Sequence, residues 1–285
     1  MDGRRLNLTE IHIAALLFGL TGLFGKFLAL PAPVIVFGRT VFAAMALDVF
    51  FSVKKVSVKL ESRRDVLSLF AVGVLLAVHW TVFYQSVQTS TVAVAVLTFS
   101  AYPVFVTFIE PAMFGERLRA ADVVSAAAIV FGVLLIVPAF DMGNNVTVGI
   151  LWGMLSSFAY AVMSLFNRRF ASKYQGTVIA FYEQLSAGCI LIPSLFVFRP
   201  SLTCRDWALL ALLGVVFTGF AHSLFIQGMK MVRAQTAGVI ASLESVYGIA
   251  AAALLLGEMP SARELFGGAV ILGVAFLSTV RSTKE

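Results

Sequence analysis

Charge is scarce in this 285-residue chain. Asp, Glu, Lys and Arg make up 13% of it, against 60% apolar residues, and mean hydropathy is +0.95. A soluble domain carries about a quarter charged residues, so a soluble globular class is excluded. No Walker-type phosphate loop occurs, which removes ATP as an evident energy source. There is no His-Glu-x-x-His, no Gly-x-Ser-x-Gly and no clustered aspartate pair. A membrane-embedded enzyme would need some such constellation, so neither catalysis nor a cofactor or metal is expected. Cysteine is down to two, Cys189 and Cys204, expected at different depths and therefore unbridged. Long polar links are also lacking. That leaves no room for a soluble domain between the hydrophobic runs, and argues against a receptor-like module.

What is present is a series of apolar runs, each long enough to cross a ~30 Å hydrocarbon core. They lie at 11–30, 33–53, 66–88, 91–114, 121–138, 148–166, 177–198, 206–229, 235–256 and 264–280. The pattern predicts an all-α polytopic membrane protein of ten transmembrane helices. A net charge of +6 invites a nucleic-acid reading, but its distribution speaks against one. Sixteen of the 21 basic residues fall in the N-terminus and the even-numbered links or tail. Three, Arg199, Arg205 and Arg263, fall in odd-numbered links, and Lys26 and Arg39 lie within spans. This positive-inside bias predicts both termini in the cytoplasm, with an inner membrane as the expected location.

The chain is also written twice. Leu23-Phe24-Gly25-Lys26 returns as Leu165-Phe166-Asn167-Arg168, Phe83-Tyr84-Gln85 as Phe225-Ile226-Gln227, and Gly115-Glu116 as Gly257-Glu258, all 142 residues apart. Residues 1–142 and 143–285 are thus two five-helix repeats. Five is odd, so the second copy must run inverted through the membrane. Inverted repeats around a midplane site give a transporter two symmetry-related packings, one open to each side.

Across nearly its whole length the chain resembles the EamA-type exporters of the drug/metabolite transporter superfamily. Ser100-Ala101-Tyr102-Pro103-Val104-Phe105, Phe114-Gly115-Glu116-Arg117-Leu118 and Leu255-Leu256-Gly257-Glu258 carry the likeness, with Arg39 at an arginine position of the family pattern. The resemblance implies a ten-helix fold and export of small metabolites or drugs. One departure is Glu244-Ser245-Val246 where the family has Glu-Pro-Val, which leaves the ninth span without its helix-breaking proline.

Ionisable residues inside the membrane mark candidate function, because each is costly there. Glu244 lies about 14 Å into its span, near the midplane. It is read either as a carboxyl bonded inside the bundle, or as a proton carrier or ligand for a substrate amine. Arg39 and Glu183 occupy equivalent repeat positions near opposite faces and are not expected to touch. Arg39 could snorkel outward, and Glu183 could pair with a basic loop residue. With Lys26, His79 and His222 they form a candidate gating or coupling set, the two histidines being otherwise packing residues at different depths. Glu258 is expected to cap the helix that follows it. Trp80 and Tyr84 share one helix face, Trp152, Ser156 and Tyr160 another, Phe99 and Tyr102 a third, and Glu244 and Tyr247 a fourth. Trp80, Tyr84, Phe99, Tyr102, Tyr160, Tyr247 and Glu244 are therefore the candidate substrate site, aromatic with one negative charge. That suits an amino acid or related amine. The expected partners are a small-molecule substrate and the lipid bilayer, with transport driven by the substrate's own gradient or by protons, and the chain a monomer or homodimer. An importer or facilitator of the same fold is the near alternative.

Overall fold

A computed structural model describes residues 3–115, 117–118, 120–136, 141–232 and 234–283. Among them the chain is all helix: α1 (Gly3–Phe27), α2 (Ala32–Lys54), α3 (Arg63–Thr89), α4 (Val92–Phe99), α5 (Tyr102–Phe114), α6 (Ala120–Ile136), α7 (Asn145–Ala171), α8 (Gly176–Phe198), α9 (Cys204–Gly214), α10 (Ala221–Gly228), α11 (Ala234–Ala241), α12 (Glu244–Leu256) and α13 (Ala262–Thr283). A π-helical turn, Val215–Phe220, joins α9 to α10 without interrupting the run. Counting α4–α5, α9–α10 and α11–α12 as one passage each, the described residues make ten helical segments, as the apolar runs predict. Seven are long and apolar enough to cross a membrane, and Ala120–Ile136 and Glu244–Leu256 are shorter apolar helices.

Local chemistry sets the helix ends. Ser62, Thr91 and Asn144 accept hydrogen bonds from the amides of Asp65, Val94 and Val146, and Thr203 with Asp206 closes a capping box. Gly115 and Gly257 terminate α5 and α12 in the left-handed region, at φ 68° and 69°. The duplicated Gly-Glu motif thus has a physical reason in its glycine, which carries no Cβ penalty there.

Packing is inverted relative to a soluble protein. Leu254 and Phe196 are 84% and 73% exposed on the outside, whereas Arg39, Glu183, Ser156 and Asn167 are buried. An apolar exterior around polar interior groups is what a lipid solvent selects. α3 packs on α7 and α8, α1 on α10 and α12, and α2 on α8 and α9. α6 and α13 pair at the margin, where Gly132 and Gly267 let the backbones approach.

Two passages break near mid-length. The α4–α5 break at Ser100-Ala101 precedes Pro103, as the sequence suggests. The α11–α12 break at Ser242-Leu243 forms without a proline, against the expectation from Ser245. Serine hydroxyls supply the reason. Ser245 Oγ donates to the Val96 carbonyl at 2.9 Å and pairs with Ser100 Oγ at 2.5 Å, stitching one break to the other. Ser157 Oγ donates to the carbonyls of Thr98 and Phe99 at 3.0 and 2.6 Å. Backbone groups freed from a helix at membrane depth need such partners.

Candidate functional site

The breaks deliver Phe99, Tyr102 and Glu244 to one region, and α2, α3, α7 and α10 complete it. Glu244 is the first residue of α12 and is 5% exposed. Its carboxylate has no hydrogen-bond partner among the described residues and borders a cavity of about 30 Å³. That volume holds one or two waters, so the chain is closed around the site. The wall includes Arg39, His79, Trp80, Phe99, Tyr160 and His222.

Arg39 is held from three directions. Its guanidinium lies over Trp80 at 3.7 Å from the ring centroid, Nε donates to Thr218 Oγ1 at 2.9 Å, and Nη1 donates to Tyr84 Oη at 3.2 Å. Tyr84 in turn donates to the Thr21 carbonyl at 3.2 Å. Thr218 stands on the π-helical turn and donates to the Leu213 carbonyl at 2.8 Å, so the widened turn both holds the hydroxyl and aims it at Arg39. His79 is fixed by Ser156, with Nδ1 2.7 Å from its hydroxyl. The rings of Phe99 and Tyr160 lie 5.1 and 4.8 Å from His79, and Tyr102 stacks on Phe99 at 5.4 Å. The hydroxyl of Tyr102 is buried without a partner among the described residues. His222 Nε2 meets Glu183 Oε2 at 2.6 Å, and the His222 ring stands edge-on to Trp80 at 5.7 Å.

The structure therefore gathers Trp80, Phe99, Tyr160 and Glu244 at the cavity, with Tyr84 and Tyr102 one layer behind. Tyr247 is not on the cavity. It packs beside Gly19, where an added Cβ would stand 2.7 Å from the Tyr247 Cβ and 2.6 Å from the Glu244 carbonyl. Lys26 is also elsewhere, donating to the Ser90 carbonyl at 2.8 Å and pairing with Glu258 at 3.3 Å. Glu258 caps α4 through the Val92 amide at 3.0 Å rather than the helix that follows it, whose first turn is served by Glu264 through the Ser261 amide. Its repeat counterpart Glu116 lies outside the described residues.

Depth along the helix axis misplaces four residues. Arg39 does not snorkel but is 1% exposed, and Glu183 pairs with His222 rather than with a loop cation. Arg39 and Glu183 do not touch, yet Trp80 and His222 link them across the bundle. The two histidines, expected at separate depths, line one cavity. Long side chains reach sideways by as much as the depth difference. Phe18, Thr21 and Thr218 belong to the site and carry no sequence signal beyond their helical register, while Phe83, also on the cavity, is marked only by the repeat.

A helical bundle with an apolar exterior and ionisable groups gathered at its centre defines a multi-pass membrane protein whose chemistry is internal. The chain belongs to the EamA-like transporter family, which matches residues 10–137 and again 147–280. It is similar to an uncharacterised transporter, YxxF, of Bacillus subtilis, 26% identical over 95% of this chain and 89% of that one. An uncharacterised transporter of Archaeoglobus fulgidus is 27% identical over 67% of this chain and 68% of its own. A protein named as a probable amino-acid metabolite efflux pump in Salmonella typhimurium is 23% identical over 65% and 66%. A solved crystal structure superposes with a TM-score of 0.74 at 20% identity, covering 96% of both chains, and shares the fold.

Proposed function

We propose that this transporter is a secondary exporter of a small ammonium-bearing metabolite, an amino acid or related amine, working by alternating access. The observation that carries the reading is Glu244. A buried carboxylate kept for architecture would be paired, because an unpaired one costs several kcal/mol. Among the described residues Glu244 is instead unpartnered, and it faces a cavity walled by aromatic rings, which favour a cation. Its position at a helix break resembles that of transporter ligands at the midplane. The cavity is too small for any metabolite as it stands, so binding requires the surrounding helices to part.

The repeats support alternating access. Tyr102 and Glu244 occupy equivalent positions 142 residues apart, each opening the helix after a break, and Gly115 and Gly257 close those helices alike. The family's two matches fall one in each half. Two five-helix units of opposite orientation, with both termini cytoplasmic in an inner membrane, is the arrangement we infer. Arg39, Glu183, His79 and His222 form the gating and coupling set, with Lys26 and Glu258 closing one end. Outward direction is supported by the name of the Salmonella relative.

The test is tolerance of overproducing cells to toxic amino-acid analogues and cationic drugs, together with flux in proteoliposomes. Wild type should raise tolerance. Glu244→Gln should abolish it while expression and thermal unfolding stay unchanged. Tolerance and flux that survive Glu244→Gln, or uptake of an anionic compound in their place, would sink the reading.

A further inference from the structure

We propose that a groove on the flank of the bundle binds one phospholipid with a phosphoethanolamine headgroup, whose acyl chain supports the π-helical turn behind Arg39. The groove lies between α2 and the α9–α10 passage and encloses about 620 Å³. Most of its wall is apolar, with Leu47, Phe50, Val215, Phe220 and Leu224. Phe50, Val215 and Phe220 are also exposed on the apolar exterior, so the groove opens sideways into the bilayer. One end is polar, lined by Glu10, Gln175, Thr177, Gln227 and Lys230. From Lys230 to Val215 the passage rises about 22 Å at ~1.5 Å per residue, enough to cross one ~15 Å leaflet from interface to centre. A polar mouth above one leaflet of apolar depth matches a single lipid, headgroup and chain. The leaflet is the one on the side of the N-terminus, since Glu10 stands in the first half of α1.

Charges at the mouth select the headgroup. Lys230 is exposed, and its ammonium bonds no described residue. α8 opens beside it at Gly176, whose amide donates to Gln227 Oε1 at 3.0 Å, and no side chain of its own N-cap closes that helix. A lysine beside a helix N-terminus favours a phosphate. Asn7 Nδ2 donates to Glu10 Oε2 at 2.7 Å and to the Gln227 carbonyl at 3.3 Å, which fixes the Glu10 carboxylate of α1 against α10. Glu10 Oε1 bonds no described residue and is left to accept from a cationic donor. Glu10 and Lys230 line one groove yet form no ion pair with each other. A phosphoethanolamine carries one partner for each, a negative phosphate and a positive primary ammonium. An anionic headgroup satisfies Lys230 but turns negative charge toward Glu10. A phosphocholine has the right charges, but its quaternary nitrogen has no N–H for Oε1. The chain end of the site bears on the interior. Val215, Gly219 and Phe220 of the π-helical turn line the groove, while Thr218 of the same turn receives Arg39 Nε at 2.9 Å on the inner side. Such a turn is a rare geometry, and a lipid that packs on its outer wall shifts the chain toward the conformation holding Arg39. Glu244 has no part in the groove, so the lipid site stands independently of the function proposed above.

The test is lipid retention. The full chain is placed in nanodiscs of equal parts phosphatidylethanolamine, phosphatidylglycerol and phosphatidylcholine, then released into mild detergent. Native mass spectrometry identifies the phospholipid it keeps. Wild type should retain phosphatidylethanolamine, enriched about fivefold over its share of the bilayer, the scale of one interfacial charge contact. Glu10→Gln keeps an acceptor for Asn7 and should remove the headgroup preference. Lys230→Gln should lower retention of all three lipids. Ala46→Phe fills the groove from α2 and should abolish retention without touching a charge. In a second mixture, of phosphatidylethanolamine with its mono-, di- and trimethylated forms, retention should fall with each N–H donor lost. Thermal unfolding shows which variants fold. Should Glu10→Gln not fold, the methylation series decides. Retention without headgroup preference, or a preference that survives Glu10→Gln, overturns the site. Enrichment of phosphatidylglycerol overturns the choice of lipid. Support of the turn is read separately: wild type should unfold at a higher temperature in phosphatidylethanolamine than in phosphatidylcholine, and Ala46→Phe should not distinguish them. Equal unfolding temperatures for wild type overturn that support.

Discussion

Arg39 offers a substitution that separates charge from shape. Arg39→Lys keeps the positive charge but loses the planar fork that reaches Thr218 and Tyr84 while lying flat on Trp80. Hydrogen bonds to a charged group are worth about 1.5–3 kcal/mol each, and a desolvated cation–π contact about 2. Hydrogen bonds between membrane helices average nearer ~0.6 kcal/mol, because the unfolded chain finds partners in the bilayer too. The donor here is ionised and fully buried, so values above that average are expected. A lysine can keep about one of the three contacts, and Arg39→Lys should therefore cost roughly 2–4 kcal/mol. Thr218→Val isolates one of them. It also removes the bond to the Leu213 carbonyl, which a double-mutant cycle subtracts. Reversible unfolding of wild type, both single variants and the double variant in detergent–SDS mixtures should give a coupling of about 1–2 kcal/mol. Coupling indistinguishable from zero, with Arg39→Lys as stable as wild type, would refute the claim that the π-helical turn exists to hold the arginine.

Two further outcomes follow from the two faces of the bundle. Single cysteines placed at Met142 and Arg263 should react with an impermeant thiol reagent from outside, and those at Ser57 and Lys173 should not; the reverse pattern would overturn the cytoplasmic assignment of the termini. Lys173 sits in the link between α7 and α8, and its ammonium is held above the ordinary lysine value, chiefly by hydrogen bonds to Asp65 and Glu61. A raised folded-state value means the contact is fully present below the unfolded value of ~10.4 and is lost as pH climbs through the folded one. Unfolding curves should show a small alkaline loss of stability that is absent in Lys173→Met.

How much of this was legible in the sequence depends on which physical period carried the signal. Apolar runs set by bilayer thickness match the ten helical segments of the described residues, seven of them long and apolar enough to cross a membrane, since length and hydropathy are local properties. The repeat marked Gly115 and Gly257, because a left-handed helix terminus demands one residue type. Four-residue spacing placed Trp80 with Tyr84, and Ser156 with Tyr160, on faces that do point inward. What failed was lateral. Tyr247 shares a helix face with Glu244, yet the close approach of α1 at Gly19 draws it away from the cavity. The break before Glu244 was invisible because its warrant lies in another passage. Ser245 can stand where a proline is usual only because Ser100 and the Val96 carbonyl meet it across the bundle. The same holds for His222. Nothing near it in sequence distinguishes it from a packing histidine until α8 brings Glu183 to its Nε2. Local sequence thus names the groups that a membrane cannot easily tolerate, and the packing of distant helices decides which of them are satisfied. Among the described residues, the second oxygen of Glu183, the Tyr102 hydroxyl and the side-chain amides of Asn167 and Gln184 are left buried without a partner, and no local pattern marks them in advance.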